Sequence, residues 1–503
     1  MLKISWGIIL FIFSTVLSQA NVVENKISST IADKGFERYK KQLDLEDVYI
    51  AFVQPSLTSP MSYYGHTFLV FKKQGSWEFS KTFSFTAVIP NKISSKNLIL
   101  DGVTGKLSGR YVIGNFHEFK REYLSKEQRG IQLYKLNLSG PEKELLLAKS
   151  FQIYNDEFPY HFFQKNCSTE IINYLSVVRP TLSKNLKNIT MKAPSSTLNL
   201  LINENLILKK DITHFSQITH SFDRYLRLDK STREQIDTYL ISQELDENFD
   251  TLKDNEKEVL TNISSLMFNF LHTPPPMYHE IQNQIHPKSI IETSSDKENL
   301  AYTSLARLSL GLRQVDNRTI GLLSFMPSHL ERFEERFSIV NESTLKTFYT
   351  AISYDQNKIK LEKLDILEIA AYNKSFSKVI IPTWRVYAGY NDLYSPDNHS
   401  LISEIGYGLS FGSKNVLFSF MPQIKVDINN KTITSQFNTL FSYWHGKNNF
   451  SYNFISNHSR RNGVDNVHKM TLHIPLQHDL SLTTDVNLSS TEFGLWVNKR
   501  FSF

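Results

Sequence analysis

The 503-residue chain has one cysteine, Cys167. That excludes an intrachain disulfide and any cysteine-rich zinc site, whatever the compartment. Long apolar runs are missing after the first twenty residues, which excludes a polytopic helical membrane protein. Charge of either sign is nowhere concentrated: Lys and Arg total 56 against 50 Asp and Glu, and the resulting +6 is diffuse, so no nucleic-acid footprint is expected. There is no Gly-rich phosphate loop and no Ser nucleophile elbow. His214, His220, His272, His279 and His286 lack the partners of a recognised metal spacing, so neither a metal nor a cofactor is expected. A mean hydropathy of −0.30 with 41% hydrophobic residues excludes a disordered chain.

What is present begins with an export signal. Met1 to Ala20 has a basic start (Lys3), an apolar run from Trp6 to Leu17 and a small-residue exit at Ser18-Gln19-Ala20. The mature chain is expected to begin near Asn21, and residues 21–45 read as a helical or loose lead-in. Val48 to Val53, Thr67 to Lys72 and Trp77 to Ile89 read as strands, the last two joined as a hairpin by Gln74-Gly75. A strand at Ile131 to Leu138 and a helix from Glu142 to Asp156 follow. Ile171, Ile172, Leu175 and Val178 then fall at helical spacing behind Asn166-Cys167-Ser168-Thr169, and the helix should stop before Arg179-Pro180. Residues 205–299 read as a helical connector ending in a linker with three consecutive prolines, Pro274 to Pro276.

Residues 300–503 change character. Twelve segments of strand composition alternate with turns such as Asp355-Gln356-Asn357, Gly412-Ser413-Lys414 and Asn429-Asn430-Lys431. In one, Ile405, Tyr407, Leu409 and Phe411 share a face and Glu404, Gly406, Gly408 and Ser410 share the other. In the last, Phe493, Leu495, Val497, Phe501 and Phe503 line up, and the terminal aromatic resembles that of bacterial outer-membrane barrels. An even strand count and alternation fit a membrane barrel in contact with outer-membrane lipid, with Tyr354, Tyr372, Tyr390 and Trp444 expected as girdle residues. The charges Lys360, Glu362, Lys363, Asp365 and Glu368 argue that their strand lies partly outside lipid, and a soluble β-sandwich is the competing reading.

A lone cysteine in an exported chain is either a small buried hydrophobe or a nucleophile kept unpaired for its chemistry. Cys167 falls at a predicted helix N-terminus, where backbone N–H groups and the helix dipole stabilise a thiolate and a developing oxyanion. Asn166 and Ser168, flanking the sulfur, and Tyr64 are the candidate substrate or oxyanion contacts. A base is also required. His66, opening a strand directly after Gly65, is the best placed of the fifteen histidines. A hairpin centred on Gln74-Gly75 sets it opposite Thr82, Phe83 or Ser84, so Ser84 or Thr82 would orient the imidazole.

Four segments carry a resemblance: Met61-Ser62-Tyr63-Tyr64-Gly65-His66-Thr67-Phe68-Leu69, Gly109-Arg110-Tyr111-Val112, Lys120-Arg121-Glu122-Tyr123 and Tyr160-His161-Phe162-Phe163-Gln164-Lys165-Asn166-Cys167-Ser168. In order and spacing they are similar to the Lnb N-terminal periplasmic domain family. The resemblance covers residues 46–204 and implies an α+β fold of the permuted papain-like type, as in NlpC-type peptidases, with Cys167 as nucleophile and His66 as base. Where members carry an asparagine in the strand after the histidine hairpin, this chain has Ser84. The expected protein is thus exported to a Gram-negative outer membrane. It joins a periplasmic papain-like domain, a helical connector and an all-β barrel of about twelve antiparallel strands. Its expected activity is cysteine hydrolase or acyltransferase chemistry on a peptidoglycan peptide, lipoprotein or lipid. The alternative is a non-catalytic barrel, pore or anchor, with a periplasmic binding or plug domain.

Overall fold

A computed structural model describes residues 34–56, 62, 65–89, 95–154, 156–162, 164–189, 192–207, 212–242, 244–271, 293–294, 306–315, 318–330, 339–391, 400–459, 463–477, 479–489 and 492–501. The signal segment and the triple-proline linker lie outside them. Two compact units form: one from the described residues up to 52, 66–120 and 133–207, the other from those in 53–65, 121–132 and 212–501.

The first unit is an α/β region. Helix α1 (Lys34–Leu43) leads into β1 (Leu45–Val53), followed by β2 (His66–Lys73), β3 (Ser76–Val88), α2 (Ser95–Thr104), β4 (Leu107–Asn115) and α3 (Phe116–Lys120). Then come β5 (Ile131–Lys135), α4 (Gly140–Ile153), β6 (Glu157–Tyr160), α5 (Cys167–Leu175), α6 (Thr181–Leu186) and α7 (Pro194–Asn203). The sheet order is β6-β4-β3-β2-β1-β5. Val48 to Val53 are all buried, which is why β1 reads as a continuous apolar run rather than an alternating one. Aromatic rings glue the antiparallel side: Phe83 stacks on Tyr111 and meets Tyr174 of α5, and Phe85 stacks on Tyr160.

The second unit begins with β7 (Ile212–His214), α8 (Gln217–Arg227), α9 (Lys230–Ser242) and α10 (Asp254–Leu271), and β7 pairs with β8 (Thr293–Ser294). The barrel strands are β9 (Ala306–Val315), β10 (Arg318–Met326, extended by Ser328–Leu330), β11 (Asn341–Asp355), β12 (Lys358–Asn373), β13 (Pro382–Asn391) and β14 (Ser400–Phe411). They continue as β15 (Val416–Asp427), β16 (Thr432–His445), β17 (Asn448–Ser459), β18 (Gly463–Gln477), β19 (Leu480–Asn487) and β20 (Glu492–Phe501). Each pairs antiparallel with the next, and β20 pairs back onto β9, with Trp496 opposite Gly311. Closure into a ring removes the sandwich alternative.

Alternation sorts the wall as the pattern predicts. Ile405, Tyr407, Phe418, Phe420 and Ile424 face outward and are exposed, whereas Glu404, Ser410, Ser419 and Gln423 on the same strands are buried inside. Two expectations need correction. Four of the five charges of β12 do not call for water outside the wall, because they turn inward and pair: Lys363 with Asp365, Glu368 with Lys346 and Arg385, and Glu362 with Arg313 of β9; Lys360 stays exposed, three residues past the Gln356-Asn357 turn. An ion pair sheltered inside the wall leaves the lipid face apolar. Tyr372 and Trp444 are not girdle residues either. Both are buried, Tyr372 in a cluster with Leu417, Met421 and Leu440, and Trp444 donating its indole N–H to Glu342, while Tyr354 does stand exposed.

Candidate active site

Cys167 is the first residue of α5 and is 7% exposed. The helix starts there because Asn166, in an extended conformation, caps it: its Oδ1 accepts from Ser168 N at 3.0 Å, Thr169 N at 3.1 Å and Ser168 Oγ at 2.8 Å. Thr169 Oγ1 completes a reciprocal box by accepting from Asn166 N at 2.8 Å. The amide nitrogen of Asn166 faces the other way, donating to Phe162 O at 2.8 Å and Lys192 O at 2.6 Å. This one side chain therefore ties the helix start to the approach segment and to the segment ahead of α7.

That arrangement corrects the expected roles of Asn166 and Ser168. Both sit beside the sulfur, but their polar atoms are engaged in capping, and Ser168 is fully buried. They build the helix terminus rather than present donors to a substrate. Tyr64, the third expected contact, lies outside the described residues.

Helix α5 packs against β2 and β3, and His66 opens β2 directly after Gly65, whose φ of 86° suits glycine alone. The His66 ring is partly exposed, 6.0 Å from that of Phe68. Ser84 is buried in β3 but not at the expected rung. The hairpin begins with Lys73 opposite Ser76, as a Gln74-Gly75 turn requires, and then a bulge between Phe71 and Lys73 shifts the ladder to Phe71–Lys81, Val70–Thr82 and Leu69–Phe83. Continued along the strands, this register sets Ser84 opposite Phe68 and Thr86 opposite His66.

Sequence reasoning passed over Tyr160. Burial, and then the nearby charge of an ionised Cys167, hold its phenol well above the ordinary range, so it stays protonated beside the sulfur. Its ring is walled in by Phe85 and by Gly109, where an added Cβ would come within 3.0 Å of it. The only signal was its place in the quoted segment, seven residues before the cysteine. One turn along α5, buried Glu170 accepts from the Tyr111 hydroxyl at 3.2 Å, while its backbone carbonyl accepts from the same hydroxyl at 3.0 Å. The helix is thereby fixed in rotation over β4. Among the described residues no cluster of three or more His, Cys, Asp or Glu is placed to hold a metal.

Comparison with known proteins divides the chain as the fold does. Residues 35–204 match the Lnb N-terminal periplasmic domain family, and residues 304–439 match a domain of unknown function, DUF7840. No curated protein matches the chain. Among solved structures it is similar to the KdgM porin (12% identity, 39% of this chain and 99% of that one, TM-score 0.25). It is also similar to the NanC porin (8%, 39% and 100%, TM-score 0.26) and to the outer membrane protein Omp33 of Acinetobacter baumannii (8%, 40% and 100%, TM-score 0.22). A closed antiparallel ring with an apolar outer face satisfies every strand's backbone within a bilayer, which open sheets cannot do. With its first domain matching a periplasmic family, the chain is a Gram-negative outer-membrane β-barrel protein whose N-terminal domain lies in the periplasm.

Proposed function

We propose that the periplasmic domain is a cysteine hydrolase or acyltransferase of the permuted papain-like type, held at the outer membrane by the barrel. The observation that carries the reading is the position of Cys167, the chain's one thiol, at the first residue of a nine-residue helix packed on the strand that His66 opens. A helix start favours thiolate and opposes the effect of burial, which favours the thiol.

His66 takes the thiol proton and the sulfur attacks the carbonyl of an amide, ester or thioester, with the positive end of the helix dipole favouring the developing oxyanion. The C–N, C–O or C–S bond to the leaving group breaks as His66 returns the proton to it, leaving a thioester on Cys167. Water, deprotonated by His66, or another nucleophile then attacks that thioester, and the sulfur departs. Tyr160, held protonated, is an adjacent hydrogen-bond donor and gives up no proton in the cycle. Tethering in lipid suits an envelope substrate: a peptidoglycan peptide, a lipoprotein or a lipid acyl chain.

The test is the pH profile of Cys167 alkylation in the full-length protein, wild type against His66→Ala. Rapid labelling with an apparent pKa well below about 8.5, raised by the loss of His66, is expected. Slow labelling indifferent to His66 overturns the reading and makes the cysteine structural.

A further inference from the structure

Twelve strands about 4.8 Å apart and tilted about 40° enclose a cylinder roughly 24 Å across between backbones. Side chains of ordinary length would leave its axis open. The chain enters this ring at Ala306 from the periplasm, so the turn 374–381 and the Phe501 end lie at the same, periplasmic end. There, the interior is crossed by direct contacts. Ala370 and Tyr372 of β12 pack on Leu417 and Met421 of β15 and Leu440 of β16. Trp444 of β16 donates to Glu342 of β11 at 3.2 Å, and Ser410, Ser419, Ser442 and Ser481 are all but inaccessible.

The rim is covered as well. Val340, Phe376, Val379 and Ile381 form one apolar cluster with Ile218 and Phe222 of α8, and Ile236 and Leu240 of α9 join it. A polar latch sits beside that cluster: the Ser377 hydroxyl donates to Asp237 at 2.5 Å, and the Tyr225 hydroxyl donates to the same carboxylate at 2.9 Å. Lys374, fully buried, donates to Ile339 O at 2.9 Å and Ser413 O at 3.0 Å and lies 3.8 Å from Glu342.

The geometry points to a barrel sealed at its periplasmic end by its own side chains, with helices α8–α10 seated on that end as a built-in stopper. It anchors the protein and does not conduct. The inference rests on the membrane barrel alone, so it survives or fails independently of Cys167 chemistry. Full-length protein reconstituted in planar bilayers in KCl is expected to show no steady conductance. Trimming the crossing contacts and the rim cluster together (Tyr372→Ala, Leu417→Ala, Met421→Ala with Phe222→Ala and Phe376→Ala) is expected to open one. A second readout does not depend on that variant folding. In a Cys167→Ser background, Ser419→Cys should react with a charged, membrane-impermeant thiol reagent about a hundredfold more slowly than Asn430→Cys in the exposed β15–β16 turn. Ohmic conductance from the wild type, or labelling of Ser419→Cys within a few-fold of Asn430→Cys, would overturn the proposal.

Discussion

Replacing Asn166 by alanine removes five polar contacts at once. The cap itself contributes about 0.5–2 kcal/mol. The amide donates to two carbonyls, Phe162 O and Lys192 O, and stranding each without a donor costs about 1–3 kcal/mol. Allowing for non-additivity, the loss should be about 3–6 kcal/mol, and at roughly 2–4 °C per kcal/mol for a domain of this size the melting transition should fall by about 10–20 °C. Asn166→Asp separates the two halves of the role, since a carboxylate keeps the acceptor facing Ser168 N and Thr169 N and cannot donate to the carbonyls. It should retain the cap while losing the tether, and its negative charge beside the sulfur should slow alkylation at fixed pH. The assay is paired: thermal melting by near-ultraviolet circular dichroism, and Cys167 alkylation across pH. If Asn166→Ala melts within a few degrees of wild type and labels with an unchanged pH profile, the helix start is not organised by this residue and the argument for an activated thiol there falls.

Other perturbations should behave as follows. Gly109→Ala puts a Cβ 2.5 Å from Phe85 and 3.0 Å from Tyr160, so it should cost about 1–3 kcal/mol and alter Cys167 labelling; a melt identical to wild type would contradict the packed wall. Arg385→Ala strands Glu404 and leaves Glu368 with Lys346 as its remaining partner inside the barrel, and should cost about 3–5 kcal/mol, read as a lower temperature for loss of the heat-resistant band in a detergent gel. Burial pushes the Tyr39 hydroxyl up to about 12, against an ordinary value near 10. The unfolded chain therefore gives up that proton first, and stability present below about pH 10 is lost as pH rises toward 12, by up to about 3 kcal/mol. Tyr39→Phe should flatten that alkaline slope in a denaturant titration, and an unchanged slope would refute the assignment.

How far the fold could be read from the sequence depended on whether the signal was local. The barrel strands were legible because alternation with a period of two is a local property: Ile405 to Phe411 sort as their pattern predicts. Alternation says which residues share a face and not which face is enclosed at a strand end. That is why Tyr372 and Trp444 were expected at the lipid interface and the charges of β12 in water. Cys167 at a helix start was legible from Asn166 and the apolar spacing behind it. The Asn166–Thr169 pair was itself a capping signature, and weighing it would have withdrawn Asn166 and Ser168 from the list of substrate contacts. The rung of Ser84 was not legible, because one bulge between Phe71 and Lys73 moves every downstream pair and leaves no mark in composition.

The seam between β9 and β20 has a consequence for how the protein is made. Ala306 to Gln314, the first strand to emerge, finds its second partner only in Phe493 to Phe501, the last. Until the final strand arrives, the nascent wall carries two bare edges, and in hydrocarbon each unmatched amide or carbonyl costs several kcal/mol. Insertion is then a single late event, with no stable lipid-embedded intermediate of eleven strands. Losing Phe493 to Phe501 would leave the first strand without its second partner and the ring unclosed, so the whole wall depends on its last-made segment.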